Sequence, residues 1–230
     1  LIACEYYYPH VGGAEILFQK LAEGLAQGGH RCDMVTCRLS GTKRFEVVNG
    51  VNIHRVRVPK WADRYWFTFM SIPMAWKIAQ NADIIHTITY NGAFPAWLIA
   101  KMRKKPVVIS FLEVLGETWM GLSSSFPAAF SFRLVENIIL HIPYDGYFCN
   151  SQNTASCLTD LGIDSGKTFM AYPGIDNHLF EQKTDEEAQN IRRELGINSS
   201  TFLYSYYGRS GMVKGVEYLV RAVPLIKKAI

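Results

Sequence analysis

The stretch LIACEYYYPHVGGAEILFQKLAEGLAQGGHRCDMVTC, residues 1–37, decides the fold. An apolar run, Leu1–Cys4, leads into a loop that ends in two glycines. A helical pattern follows, in which leucines recur every four residues, at Leu17, Leu21 and Leu25. Gly28 and Gly29 end that pattern, and an apolar run resumes at 31–37. The order strand, loop, helix, strand is typical of a βαβ unit with two parallel strands.

The same alternation continues along the chain to residue 171. Apolar runs of strand length predict strands at 51–58, 83–86, 106–111, 145–150 and 167–171. Between them, helical patterns predict helices at 65–80, 92–103, 126–141 and 151–161. Strands that alternate with helices predict an α/β fold with a doubly wound, mostly parallel sheet of the Rossmann-like type.

A hairpin signal, Val-Val-Asn-Gly-Val, lies at residues 47–51. The pair Asn49 and Gly50 supplies the two positive φ angles that a type I′ turn requires. After the turn, the apolar positions change from odd to even residue numbers. Because side chains alternate between the two faces of a strand, this change of phase predicts a β-bulge near His54 and Arg55.

The sequence predicts two domains joined by a linker. Residues 1–176 contain the alternating pattern, and residues 177–200 are more polar and include the charged helical stretch EQKTDEEAQNIRRELG. An apolar run, Phe202–Tyr207, then precedes a glycine-containing turn and a helical pattern, so residues 201–230 read as the first β-α unit of a second Rossmann-like domain. Both ends lie inside patterns, which predicts that the chain is part of a longer protein.

Composition excludes several classes of protein. Of the 230 residues, 49% are hydrophobic and 19% are charged, as in ordinary globular domains. The net charge of +4 is compatible with an anionic ligand or a membrane surface, and it is too small to indicate nucleic-acid binding. Five cysteines without a CxxC pair predict reduced thiols in a cytoplasmic protein. No signal peptide or transmembrane run is visible.

Two glycine-containing turns carry the chemistry that the sequence suggests. Gly12 and Gly13 open a helix, which leaves N–H groups and the positive end of the helix dipole exposed to a phosphate. The alternative is a tight turn without a ligand. In the second turn, Arg209 and Lys214 flank glycines before a helix, where they would neutralise a diphosphate. The alternative there is two solvated surface cations. Neither turn matches a dinucleotide fingerprint or a Walker motif.

Four segments carry a resemblance to a known family: YYYPHVGGAE at 6–15, NSQNTASCLTDLGI at 150–163, YPGID at 172–176 and YYGRSGMVKGVEYLVRAV at 206–223. Together they resemble the retaining glycosyltransferases of family 4, which have the GT-B fold. The resemblance runs nearly from end to end, and its most specific element is the pair Arg209 and Lys214.

The resemblance implies an enzyme that moves a sugar from a nucleotide-diphosphate-sugar donor to an acceptor hydroxyl, with retention and without a metal or cofactor. It makes residues 1–176 the acceptor-side domain, which brings Gly12 and Gly13 to the donor diphosphate. Arg209 and Lys214 would hold the diphosphate from the second domain. Activity would therefore require the full-length protein. The acceptor would be a saccharide or a lipid-linked molecule.

One departure from the family concerns catalysis. After the predicted strand 106–111, relatives often carry a histidine close to the donor sugar, and this chain has Leu112 followed by Glu113. Glu113 is a candidate for the base that approaches the acceptor hydroxyl, or it is a solvated loop carboxylate. Two histidines are further candidates for the site or for structural roles: His86, at the end of a predicted strand, and His10, in the loop that ends in Gly12 and Gly13 (the glycine loop). No cluster has the spacing of metal ligands, so the predicted metal content is none.

An aromatic-rich stretch at 61–76 leaves two interpretations open. It contains Trp61, Trp66, Phe67, Phe69, Met70, Met74 and Trp76, with Lys60, Arg64 and Lys77 nearby. It is typical of a helix packed on the sheet. It is also compatible with a surface for a lipid-linked acceptor, and thus with peripheral contact at the inner face of the membrane.

Two rival functions remain open at the level of sequence. One is a catalytically silent GT-B relative that binds a nucleotide sugar or a partner, which the replacement of the family histidine by Leu112 favours. The other is a nucleotide-sugar epimerase.

Overall fold

A computed structural model describes residues 1–122, 125–175, 185–198, 201–208 and 214–229. The chain divides into two compact units, Leu1–Gly174 and Ile175–Ile230. The strands of the first unit are β1 Ile2–Ala3, β2 Cys32–Cys37, β3 Phe45–Val48, β4 Val51–Val56, β5 Ile85–Ile88, β6 Val107–Phe111, β7 Gly146–Cys149 and β8 Thr168–Met170. Its helices are α1 Gly13–Gln27, α2 Asp63–Met70, α3 Ile72–Ala79, α4 Ala93–Arg103, α5 Trp119–Leu122, α6 Phe126–Leu140 and α7 Gln152–Asp160.

The eight strands form one sheet in the order β3-β4-β2-β1-β5-β6-β7-β8. All neighbouring strands are parallel except β3 and β4, which pair antiparallel. Helix α1 packs on one face through Phe18 and Ala22. Helices α2, α3 and α4 contribute to the core on the other face, against residues such as Val35 and Ile109. The predicted doubly wound, mostly parallel α/β sheet is confirmed.

The strand order identifies the edge where a ligand is expected. The three strands that follow β1 in the chain lie on one side of it, with β3 at the edge of the sheet, and β5 lies on the other side of β1. The loops after β1 and β5 therefore diverge toward opposite faces, which opens a crevice beyond the carboxyl ends of these two strands. The loop that contains Gly12 and Gly13 lies at this crevice.

The Asn-Gly hairpin is confirmed, but the predicted bulge is wrong. Asn49 and Gly50 have φ angles of 48° and 81°, as a type I′ turn requires. Strand β4 pairs with β2 without interruption from Val51 to Val56. The phase of the pattern changes because Arg55, a charged residue, is buried on the same face as Val51 and Ile53.

Two other predicted elements differ from the structure. The helix predicted at 65–80 is divided into α2 and α3 at Ser71, where Pro73 follows in the first turn of α3 and lacks the N–H that a continuous helix would need. Residues 202–207, predicted as a strand, are not part of the eight-stranded sheet, and no strand is assigned to them in the described part of the chain. A strand requires a hydrogen-bonded neighbour, so an apolar run alone does not define one.

The second unit contains two helices in its described residues, α8 Asp185–Glu194 and α9 Val216–Ala229. Helix α8 corresponds to the charged stretch of the predicted linker. Residues 176–184 and 199–200 lie outside the described residues, so the linker at 177–200 stays a prediction.

Candidate active site at the carboxyl ends of strands 1 and 5

The loop between β1 and α1 is held in place by the neighbouring strand β2. The Glu5 carbonyl accepts hydrogen bonds from the Thr36 hydroxyl, at 3.1 Å, and from the Cys37 N–H, at 3.0 Å. Tyr7 is buried in the core beneath the loop, and its carbonyl accepts from the His10 N–H at 3.0 Å. The apolar side of the loop is thus anchored, while its tip at 8–12 stays at the surface.

Tyr6 connects the loop to the start of α2. Its hydroxyl donates to Asp63 Oδ2 at 2.6 Å, and burial together with this acceptor raises the pKa of Tyr6, so the hydroxyl keeps its proton. The ring of Tyr6 stacks on His10, with 4.6 Å between the ring centroids, and the Arg64 guanidinium lies 5.0 Å from the Tyr6 centroid. The structure therefore brings His10 to the crevice edge, within the same loop as Gly12 and Gly13.

Helix α1 begins without a side-chain cap, as the two glycines predict. Gly12 is the extended N-cap residue, and Gly13 is the first helical residue. A methyl group at Gly12 would overlap the Glu15 carboxylate, whereas one at Gly13 would meet no atom within 4 Å. Glu15 therefore folds back over the helix start, where its Oε1 lies 3.1 Å from His10 Nδ1. A carboxylate at this position indicates that the helix N-terminus attracts an anion.

A cavity of about 40 Å³ lies between the start of α1 and the ends of β1 and β5. Its lining consists of Cys4, Glu5, Tyr6, Ala14, Glu15, Phe18 and Ile88. Burial raises the pKa of Glu5, and a hydrogen bond from the Asn91 side chain and the charge of Arg64 oppose that shift. Among the described residues, the buried Oε2 of Glu5 has no hydrogen-bond partner. A buried acceptor of this kind is usually satisfied by an ordered water or another bound group.

Tyr90, at the end of β5, is a candidate site residue that the sequence-based list of candidates omitted. It has a φ of 79°, which is unusual for a residue with a Cβ. Its buried hydroxyl has no partner among the described residues. Burial raises the pKa of Tyr90, and the carboxylates of Glu136, Glu113 and Glu5 raise it further, so the hydroxyl is a donor at neutral pH. The sequence feature that could have identified Tyr90 is its place in a Tyr-Asn-Gly run after a predicted strand.

The loop after β6 carries Leu112 and Glu113. Leu112 packs against the apolar cluster around α1, and Glu113 is exposed. The rest of this loop is fixed by Glu136 on α6, a buried carboxylate that accepts from the N–H groups of Leu115 and Gly116, at 3.0 and 2.7 Å. Glu113 thus belongs to the same edge of the sheet as Tyr90, on a loop that has a fixed backbone.

His86 lies inside strand β5 and does not end it. The strand continues for two residues, to Ile88, so the expected position of His86 at the ligand edge is wrong. Its Nε2 lies 2.8 Å from the Ser110 hydroxyl, and its ring packs between Phe18 and Phe148. Burial lowers the pKa of His86 to about 4, which keeps the imidazole neutral. This environment is that of a core histidine.

Arg55 also contacts the loop that contains Gly12 and Gly13. The sequence alone did not identify Arg55 as a residue of the site. Its side chain is fully buried. Its Nη2 donates to the Tyr8 carbonyl at 2.8 Å, and its Nη1 lies 3.2 Å from the Lys43 carbonyl and 2.5 Å from Glu46 Oε1. Its signal in the sequence was the phase change that suggested a bulge.

In the second unit, Lys214 is exposed and lies two residues before α9. Arg209, its predicted companion, lies outside the described residues. The aromatic stretch at 61–76 contains buried side chains, as a helix packed on the sheet requires, and exposed ones, as a surface for a lipid-linked acceptor requires. Phe67 is fully buried, whereas Trp61 and Phe69 are 70% and 62% exposed.

Within the ranges that the structure describes, no group of three or more acidic, histidine or cysteine side chains could hold a metal ion. All five cysteines are free thiols. None of the helices in those ranges has the length and hydropathy that crossing a bilayer requires.

Comparisons with known proteins agree with this fold. The model of the family described as Glycosyltransferase Family 4 matches residues 11–179, well over half of the chain. An uncharacterized glycosyltransferase of Methanocaldococcus jannaschii is 27% identical over 98% of this chain and 59% of its own length. A sucrose-phosphate synthase from Thermosynechococcus elongatus superposes with a TM-score of 0.76 at 20% identity, over 98% of this chain and 59% of that one. Anabaena HepE, solved in complex with UDP-glucose, superposes with a TM-score of 0.69 at 15% identity, over 96% of this chain and 56% of that one. The chain thus spans less than two thirds of the length of these proteins.

Proposed function

This chain belongs to glycosyltransferase family 4, and we propose that the protein transfers a sugar from a nucleotide-diphosphate-sugar donor to an acceptor hydroxyl, with retention and without a metal ion. The observation that carries the proposal is the start of α1. It is uncapped, opened by two glycines and located at the crevice between β1 and β5. A diphosphate is the ligand chemistry that best fits such a helix start.

The donor is held by its diphosphate. In this proposal the N–H groups of Gly12 and Gly13 donate to it, and Arg209 and Lys214 provide positive charge. When the bond between the sugar and the diphosphate breaks, negative charge develops on the departing phosphate oxygen. Helix dipole and cationic side chains stabilise that charge most effectively when they are fixed in advance. HepE, a protein of the same fold, was solved in complex with UDP-glucose, and this supports a nucleotide sugar as the donor.

The acceptor hydroxyl is bound by the loops after β1, β5 and β6. Glu5 Oε2 accepts a hydrogen bond from the acceptor and the Tyr90 hydroxyl donates one, since both atoms are buried without a partner in the described part of the chain. Glu113 is the candidate for the base that takes the proton of the attacking hydroxyl, because it is exposed on the adjacent loop.

The acceptor is a saccharide or a lipid-linked molecule. The exposed Trp61 and Phe69 give it an apolar surface beside the crevice loop, since α2 begins at Asp63, the partner of Tyr6. We place the protein in the cytoplasm, with peripheral contact at the inner face of the membrane. Five free thiols support a reducing compartment.

Nucleotide binding by the full-length protein tests the donor site. Calorimetry with UDP and GDP would identify the nucleotide. Arg209→Ala and Lys214→Ala should then each weaken its binding by about 1.5–3 kcal/mol, the contribution of a charged hydrogen bond. Lys20→Ala is the control, because Lys20 is an exposed lysine on the solvent side of α1. Equal affinities for the wild type and both variants would exclude this donor site.

One observation favours a second function. Leu112 packs into the apolar cluster at the position where relatives often have histidine, so the chain lacks that polar group beside the donor sugar. A catalytically silent relative would bind a nucleotide sugar without consuming it. Release of UDP from UDP-glucose distinguishes the two functions, since the enzyme hydrolyses its donor slowly in the absence of an acceptor and the silent relative does not.

A further inference from the structure

Arg55 is the largest side chain that the first unit buries completely. It lies on β4, and its guanidinium is on the face of the sheet that carries Val51 and Ile53. A buried charge is costly unless it is paired and hydrogen-bonded, and a hydrophobic residue of similar size would fill the same volume. We therefore expect the arginine at this position to have a role that an apolar side chain cannot fill.

The contacts of Arg55 join three segments of the chain. Its Nη2 donates to the Tyr8 carbonyl at 2.8 Å in the glycine loop. Its Nη1 donates to the Lys43 carbonyl at 3.2 Å and forms an ion pair with Glu46, so the β3–β4 hairpin holds the other side of the guanidinium. The planar fork of a guanidinium can satisfy these partners together, and a lysine ammonium cannot span them with fixed geometry.

Between Tyr8 and the helix, the other contacts of the loop are those of His10, whose ring stacks on Tyr6 and whose Nδ1 lies 3.1 Å from Glu15 Oε1. Tyr8 and Pro9 are exposed, and Val11 is 80% exposed, so these side chains contribute little packing. Among the hydrogen bonds that the described residues form, the bond to the Tyr8 carbonyl is the last that ties the loop to another element before Gly12. This bond and the contacts of His10 therefore set the direction in which the loop enters α1, and only the bond to Arg55 comes from β4.

We infer that Arg55 is a positioning residue, which fixes the Tyr8 carbonyl and thereby orients the N–H groups of Gly12 and Gly13 toward the donor diphosphate. The inference rests on the proposed function, because it assigns a purpose to the orientation of those two glycines. It also links the β3–β4 hairpin to the donor site, since the same guanidinium contacts both.

The test is made in the full-length protein with Arg55→Lys, which keeps the charge and removes the fork. The first measurement is the position of the Gly12 and Gly13 amide signals in glycine-labelled ¹H–¹⁵N spectra, which requires no ligand. The second is the affinity for UDP. We expect both signals to shift and the affinity to fall roughly ten-fold, which corresponds to the loss of about one charge-assisted hydrogen bond to the diphosphate.

Two further variants separate positioning from general damage. Arg103→Lys is the matched control, because Arg103 also donates to a backbone carbonyl, that of Trp76 at 3.0 Å, but at the end of α4. It should change neither the glycine signals nor the affinity. If Arg55→Lys does not fold, the double variant Arg55→Met with Glu46→Leu removes both partners of the buried pair, an exchange that proteins often tolerate. It should show the same loss of UDP affinity.

The outcomes are distinct. Unmoved Gly12 and Gly13 signals would overturn the inference, as would shifted signals with unchanged UDP affinity. An equal loss in Arg103→Lys would show that the effect is structural and would also overturn it. A wild type that binds neither UDP nor GDP would refute the proposed function, and the glycine signals would still decide whether Arg55 orients the loop.

Discussion

Gly13→Ala separates the stability of the first unit from its binding of a donor. A methyl group at this position meets no atom within 4 Å, and Gly13 is a helical residue with an ordinary backbone. Alanine loses less conformational freedom than glycine when a helix forms, so the variant should raise the free energy of unfolding by about 0.5 kcal/mol. Denaturant titration of the full-length protein measures this change.

The same substitution should weaken nucleotide binding. A diphosphate that accepts a hydrogen bond from the Gly13 N–H would lie about 2.9 Å from that nitrogen, and the new methyl group would obstruct its approach. Loss of one charge-assisted hydrogen bond corresponds to about 1.5–3 kcal/mol, or at least a ten-fold loss of UDP affinity in calorimetry.

Gly24→Ala is the control for this prediction. Gly24 lies within α1, and a methyl group there also meets no atom within 4 Å. It should stabilise the unit without changing affinity. If Gly13→Ala binds UDP as tightly as the wild type while Lys214→Ala does not, the diphosphate does not approach α1 and the reasoning is refuted.

Three other predictions concern Gly92, His86 and Leu112. Gly92→Ala should destabilise the first unit by about 1–3 kcal/mol in denaturant titration, because the added methyl would lie 2.8 Å from the Ala3 carbonyl oxygen and from the Thr87 hydroxyl; unchanged stability would show that the backbone yields. Because the pKa of His86 is lowered to about 4, the stability that its neutral form supports is complete above pH 6.5 and is lost as the pH falls toward 4, by up to about 3 kcal/mol. His86→Gln should flatten the pH dependence of unfolding in that window, and an unchanged slope would contradict the assignment. Leu112→His should leave UDP-glucose hydrolysis within a few-fold of the wild type if the enzyme works without a histidine there; a large gain would support the silent relative.

Much of the architecture followed from local patterns. Strands and helices could be distinguished because their apolar residues recur with different periods. Their alternation then predicted the parallel sheet. Asn49 and Gly50 predicted their turn because few residues accept positive φ angles at two successive positions. The prediction failed where one pattern has two physical causes. The phase change in β4 fits a bulge as well as a buried charged residue, and the structure has the second, Arg55.

The candidate site was predictable in its backbone and much less so in its side chains. Gly12 and Gly13 were identified because a helix opened by two glycines exposes its N–H groups whatever surrounds it. The roles of Gly12, Gly13, His10, Glu113, Arg209 and Lys214 in binding or catalysis stay predictions. His86 was misplaced because the length of a buried strand depends on its neighbours, and β5 extends beside β1 and β6 to Ile88.

The sequence by itself therefore determined the order of the elements, the parallel sheet and the helix start at which an anion can bind. These features depend on backbone conformations and periodicities that a few consecutive residues set. The tertiary structure decided which polar groups are buried at the crevice. Glu5, Arg55 and Tyr90 come from segments far apart in the sequence, and the strand order β4-β2-β1-β5 brings them to one edge. Burial and the lack of partners depend on what surrounds a side chain in three dimensions, and local sequence does not contain that information.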